Sequence, residues 1–202
     1  MTTIVEDLLL LARLDEGRAL ESEAVDVRAL VRDAVNDARV AAPGHEWIVE
    51  LPEDDAVTVV TGDASRLFQV VSNLLANARV HTPAGTRVTT TLRVPTDADG
   101  DRSRHLEIVV TDDGPGIAAD ILSRVFERFV RGDSSRSRAT GSTGLGLAIV
   151  RAVVEVHGGS VRVDSAPGRT RFSIDLPLRR REQAESSRAS TSSARTPAHS
   201  EL

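Results

Sequence analysis

The sequence predicts one domain of helices packed on a β-sheet, with an appendage at each end. Three observations carry this. The chain has 202 residues, the size of one ordinary domain. Its apolar content of 40% includes only four Phe, one Trp and no Tyr, so the core must be Val, Leu, Ile and Ala. Amphipathic helical stretches are interleaved with short apolar runs bounded by Gly, Pro and Asp. The net charge is −5 and the basic residues, all Arg, are scattered rather than banked on one element, which argues against nucleic acid as a partner. The absence of Cys excludes a disulfide framework and a thiolate metal site. No signal peptide and no membrane-spanning apolar run is seen, so the chain is expected to be soluble.

In order, Met1 to Asp15 reads as a short apolar helix, with Ile4, Leu8 and Leu11 on one face, Val5, Leu9 and Ala12 beside them, and Gly17 as its stop. A helix this short is marginal alone, and its broad apolar surface points to a partner helix outside the chain. Packing back on the domain is the other reading. Val25 to Val27 is an expected edge strand, and Asp26 caps a helix to about Ala41 with Leu30, Val31, Ala34 and Ala38 inward. His45 to Leu51 and Ala56 to Thr61 read as strands joined by the acidic loop Pro52 to Asp55, with Trp47 in the core and His45 at the surface.

Asp63 caps the next helix, Ala64 to His81, whose Leu67, Val70, Val71, Leu74, Leu75 and Ala78 form one stripe. Beside it, Asn73 and Asn77 are four apart and share a face. Asn is a poor helix former, and two side-chain carbonyls one turn apart suit a hard cation such as Mg2+. Arg87 to Val94 and Leu106 to Thr111 are strands around the polar loop Pro95 to Arg104.

Val109 to Val150 carries the outline of a nucleotide pocket with a lid. Asp112 ends a strand and is followed by Asp113-Gly114-Pro115-Gly116-Ile117, whose glycines allow close backbone approach to a ligand. A carboxylate there can accept from the exocyclic amine of adenine, although taken singly the pattern is also that of an ordinary Asp-Gly turn. Ala119 to about Phe129 is expected to be helical, with Ile121, Leu122, Val125, Phe126 and Phe129 apolar. Arg131 to Ser142 lacks periodicity and reads as a mobile loop. Gly141, Gly144 and Gly146 then open a helix, Leu145 to His157, whose unpaired N–H groups attract phosphate. Its expected inward residues are Leu145, Ala148, Ile149, Ala152, Val153 and Val156. Lys is absent, which excludes a P-loop. Gly158-Gly159 ends the helix, and Ser160 to Asp164 and Thr170 to Leu176 form a closing hairpin. From Arg179 the chain has almost no large apolar residue and reads as a disordered tail.

Together these pieces resemble the ATP-binding catalytic domain of bacterial sensor histidine kinases, over about Val25 to Leu178. The N box is similar to Leu67 through Ala78, the first glycine box to Asp112 through Ile117, the phenylalanine box to Val125 through Phe129, and the second glycine box to Gly141 through Leu147. Met1 to Gly17 looks like the end of the second dimerisation helix. This divides the chain into a helix remnant at 1–17, a catalytic domain at 18–178 and a tail at 179–202. The resemblance implies a two-layer α/β (α+β) sandwich, a mixed sheet packed on helices, with ATP under a mobile lid.

By the same likeness Asp112 binds adenine, Asn77 holds Mg2+ with Asn73 beside it, and Arg131 reaches a phosphate. Gly114, Gly116, Ile117 and Phe129, with Gly141, Thr143, Gly144, Leu145 and Gly146, line the nucleotide. The implied activity is transfer of the γ-phosphoryl of Mg-ATP to a histidine, for relay to a response-regulator receiver domain. The implied setting is the cytoplasmic side of a membrane that holds the full-length parent.

Three departures stand out. None of the five His sits in a phosphoacceptor motif; His45-Glu46 alone begins like one and continues Trp-Ile-Val, so the acceptor must come from elsewhere. The N box usually has a basic residue three after its second Asn, where Val80 stands here, with Arg79 as a candidate replacement contact to phosphate. Gly168-Arg169-Thr170 is tighter than the usual turn. Gyrase-type relatives carry Glu where Asn73 stands, to activate water, and Asn cannot act as a base. Slow hydrolysis is therefore expected, with a non-catalytic nucleotide-binding fragment or an ATP-dependent conformational switch as the alternatives.

Overall fold

The structure, a computed structural model, describes residues 2–16, 21–53, 56–95, 105–130 and 143–178. Gly17, the loop 96–104, the stretch 131–142 and the tail 179–202, on which several expectations fall, lie outside the described residues.

Five strands make the main sheet: β2 (Glu46–Glu50), β4 (Arg87–Arg93), β5 (His105–Asp112), β7 (Arg169–Pro177) and β6 (Ser160–Ala166), in that spatial order. β2 runs parallel to β4, and every other pairing is antiparallel. The sheet is mixed, as expected. Alternation along the central strand sends Leu106, Ile108 and Val110 into one core with α2 (Val27–Ala41), α3 (Ala64–His81) and α5 (Gly146–Val156). The opposite face is polar, laced by Arg87–Glu46, Arg93–Glu107 and Arg162–Asp175 ion pairs. Helices on one face and solvent on the other define a two-layer α/β sandwich.

Both sequence-read caps are present. The Asp26 carboxylate accepts from Arg28 N–H at 3.0 Å, and that of Asp63 from Arg66 N–H at 3.0 Å. Burial works to raise the pKa of Asp63, but the hydrogen bonds from Ser65 and Arg66 outweigh it and hold the carboxyl below its ordinary range. All six residues of the α3 stripe are buried. Gly158, at φ +73°, closes α5 as a left-handed cap.

The two strands joined by the acidic loop are present and lie in different sheets: β2 pairs with β4, whereas β3 (Val59–Gly62) pairs with β1 (Glu23–Asp26) in a separate ribbon. Two expectations need correction. The expected helix at 119–129 is α-helical only over Ala119–Leu122, which is α4. Beyond it, Phe126 meets Phe172 edge-on at 6.3 Å, and Phe129 N–H bonds Gly144 O at 2.8 Å instead of a helical carbonyl. Phe129 itself is 61% exposed at φ +64°. On α5, Val156 is exposed, while Val150 and Val154, outside the expected stripe, are buried. That helix is covered by α3, β6 and also α1 (Thr2–Asp15), so its apolar arc is wider than one stripe.

α1 meets the domain through Leu10, Leu11 and Leu14, all buried, and through an Asp15–Arg128 ion pair at 2.5 Å. Ile4, Val5, Leu8 and Leu9 stay exposed. The helix packs on the domain and presents an apolar face on its other side.

Candidate functional site

The site is a cleft between the C-terminal half of α3, the end of β5 and the start of α5. Its closed end is set by strand alternation. Asp112 continues the inward series of Leu106, Ile108 and Val110, so its carboxylate enters the helix layer, 6% exposed. Oδ1 accepts from Gly114 N–H at 3.0 Å. Burial raises the pKa of Asp112; the Gly114 N–H pulls it back and the neighbouring Asp113 pushes it up again, with a net rise. Gly114 is required here, since a Cβ would stand 2.5 Å from Thr82 Cγ2 and 2.7 Å from Asp112 Oδ1. Gly116 is required twice over: φ is +85°, and a Cβ would lie 2.8 Å from the Ala166 carbonyl. Ile117 N–H donates to Ser165 Oγ at 2.9 Å and Gly168 N–H to Gly114 O at 2.9 Å, which ties this turn to the β6–β7 hairpin.

A recess of about 20 Å3 remains beside Asp112, walled by Asn77, His81, Thr82, Ile117 and Thr170 among others. That is room for about one water, so a purine enters only if these walls move apart. Thr82 is held from two sides. Its hydroxyl donates to Ala78 O at 2.7 Å and therefore accepts from His45 Nε2–H at 3.0 Å.

The open end is larger, about 260 Å3, and is lined by Asn73, Asn77, Arg79, Thr143, Gly144 and Gly146, and by Asp7 of α1. Asn73 Nδ2 donates to Gly146 O at 3.2 Å, which leaves Oδ1 as its free acceptor. Among the described residues no side chain caps α5, and Gly146 at its start lines this cleft, so the positive end of its dipole lies at the cleft. Leu145 turns its side chain wholly into the core, and its N–H is taken by Thr143 Oγ1 at 3.2 Å. Val80 and Arg79 both line the cleft.

Of the sequence-read residues, Asn73, Asn77, Arg79, Thr143, Gly144 and Gly146 gather at the open end, and Asp112, Gly116 and Ile117 at the closed one. Gly114 stands behind Asp112. Phe129 lines neither cavity. Arg131 and Gly141 lie outside the described residues. Reading the sequence missed His81, Thr82, Thr170 and Asp7. His81 had a signal: 73, 77 and 81 are successive steps of four on one helix face. Asp7 had none, being remote in sequence on a helix read for its apolar face.

A cleft with a buried carboxylate at one end and amides, glycines and a helix start at the other, on a helix-covered mixed sheet, defines a nucleotide-binding domain. The chain belongs to the family of histidine kinase-, DNA gyrase B- and HSP90-like ATPases, which it matches over residues 62–180, and it is an ATP-binding catalytic domain of the sensor histidine kinase type. It is 56% identical to the probable sensor histidine kinase TcrY of Mycobacterium tuberculosis over 93% of this chain and 38% of the relative. Among solved structures, the mycobacterial sensor histidine kinase MprB aligns with 37% identity and a TM-score of 0.65, over 78% of this chain and 99% of that one. Full-length ShkA, solved in complex with AMPPNP, aligns with 31% identity and a TM-score of 0.69, over 87% of this chain and 35% of that one. The chain thus spans well under half the length of TcrY and ShkA.

Proposed function

We propose that this domain binds Mg-ATP with the adenine against Asp112 and the triphosphate at the Asn73–Gly146 end, and transfers the γ-phosphoryl to a histidine outside the residues given. The observation that carries this is the placement of Asn73 and Asn77 on one face of α3, opening on the cleft whose other end is the buried Asp112. The binding of AMPPNP by ShkA supports ATP as the ligand.

The donor set fits Mg2+. Two neutral amide oxygens suit an ion that keeps most of its waters and takes phosphate oxygens as further ligands. Asn77 would hold it, with Asn73 beside it. The bound ion supplies neutralisation of the triphosphate charge. Gly144 and Gly146 let the backbone come close to the phosphates, and Arg79 reaches them from the α3 side. At position 73 an amide cannot take a proton from water, which favours transfer to a side chain over hydrolysis.

In this reading α1 is the end of the dimerisation helix pair that carries the phosphoacceptor, and its exposed Ile4, Val5, Leu8 and Leu9 meet the other helices of that bundle. The phosphoryl group then passes to a response-regulator receiver domain. The parent kinase is placed at a membrane with this domain on the cytoplasmic side; among the described residues no helix is long and apolar enough to cross it. The test is incubation of the chain with labelled ATP, Mg2+ and separately produced phosphoacceptor helices of a sensor kinase. Acid-labile label on those helices is expected. ATP binding without any such label overturns the transfer.

A further inference from the structure

Asp7 is out of place. It sits one turn before Leu10 and Leu11 and two turns before Leu14, so it continues the face by which α1 is docked. An apolar residue would suit that position. Instead Asp7 is among the residues that line the open end of the cleft, with Asn73, Asn77 and Arg79. Among the described residues no hydrogen bond or ion pair engages it. Burial pushes its pKa up, and the neighbouring Glu6 pushes it further. On its other side Asp7 borders a second groove of about 320 Å3, between α1 and α3, which Glu6, Arg13 and Arg66 line. Asp7 is therefore the partition between that groove and the cleft.

We infer that docked α1 makes nucleotide binding conditional on the divalent cation, through the Asp7 carboxylate standing at the triphosphate end of the cleft. The inference rests on the proposed orientation of ATP. Metal-free ATP brings its negative charges towards an unpaired carboxylate in a partly desolvated space and is repelled. With the cation bound, the same carboxylate faces a neutralised triphosphate and the repulsion is gone. Undocking α1 withdraws Asp7 and removes the requirement, so the position of this helix sets which form of the nucleotide the domain accepts.

The experiment is calorimetric titration of ATP, in excess Mg2+ and in chelator, into the parent chain, Asp7→Asn, Glu6→Gln and Leu14→Ala. Asp7→Asn is expected to bind metal-free ATP about fivefold more tightly while Mg-ATP affinity stays within about twofold. Leu14→Ala, which loosens docking without touching the cleft, is expected to move the ratio the same way. Glu6→Gln removes the same charge on the groove side and is expected to leave the ratio near that of the parent. An unchanged ratio in Asp7→Asn, or an equal change in both conditions, overturns the inference while ATP binding itself survives. Failure of every chain to bind ATP in either condition overturns the ATP reading and the inference with it.

Discussion

The two ends of the cleft are built on different principles. At the Asp112 end nearly every group is fixed. The carboxylate holds Gly114 N–H, Gly114 O holds Gly168 N–H, Ile117 N–H holds Ser165, and Thr82 is held by His45 and Ala78. The free space there is about 20 Å3. At the Asn73–Gly146 end, among the described residues, the Asn73 amide bond to Gly146 at 3.2 Å and the Phe129–Gly144 backbone bond tie the walls around a cavity of about 260 Å3, and Arg79 is exposed. A planar base is recognised by a few fixed groups, and here the walls of the recess must first move apart to admit it. A triphosphate with its cation is bound mainly by charge, which tolerates imprecise placement. In the proposed binding mode the rigid end would set which nucleotide binds, and the loose end would adapt to what is done with it.

Glycine substitutions break or sharpen this contrast most. Gly116→Ala forces a left-handed conformation on a side chain and drives Cβ to 2.8 Å from the Ala166 carbonyl. A loss of about 1–3 kcal/mol from strain alone is expected, with the clash adding to it. At the loose end, a Cβ on Gly146 meets nothing nearer than Asn73 Cγ at 3.6 Å, so Gly146→Ala is expected to stay within about 0.5 kcal/mol of the parent. Urea midpoints decide it; equal losses would remove the contrast.

A smaller effect concerns the stability cost of Asp112. Its folded pKa is raised above the ordinary 3.8. Between those two values the native chain binds the proton more tightly than the unfolded chain, so stability falls as pH rises through that window. Below 3.8 both states are protonated and the cost vanishes; above the raised value it is fully present. Asp112→Asn keeps an acceptor for Gly114 N–H and discards the charge. It is expected to melt higher than the parent at pH 7 and at the same temperature near pH 3. A variant less stable at pH 7 would show that the carboxylate holds the fold together. Trp47, the single tryptophan and buried, reports the unfolding.

The smallest effect is at the exposed Arg79. Arg79→Ala is expected to weaken ATP binding by roughly two- to fivefold, an effect that fades with added salt, because an exposed charge is worth about 1 kcal/mol or less. A loss of a hundredfold would mean that the loose end is as tightly determined as the closed one.

The fold was legible wherever one face of an element has one kind of neighbour. The α3 stripe, the Asp26 and Asp63 caps and the central strand all follow from period and end chemistry. Legibility failed where contacts distant in sequence outweighed local pattern. The 119–129 stretch has helical spacing, yet Phe126 is claimed by Phe172 of β7 and Phe129 N–H by Gly144. α5 buries Val150 and Val154 because α1 covers a second side. β2 and β3 are neighbours in sequence, but one pairs forward with β4 and the other back with β1, a choice that no local pattern records. In the site, residues within one motif were found and those contributed by a remote element, Asp7 above all, were not.

The most direct test of the account is calorimetric titration of Mg-ATP into the parent chain and Asp112→Asn, with Mg-GTP as the competitor base. The parent is expected to bind ATP and discriminate against GTP, whose exocyclic group at the corresponding position is an acceptor. Asp112→Asn is expected to lose about 1.5–3 kcal/mol of ATP affinity, the worth of a hydrogen bond to a charged group, and most of the discrimination. ATP binding of undiminished strength and selectivity in Asp112→Asn would contradict the assignment of the closed end to the base.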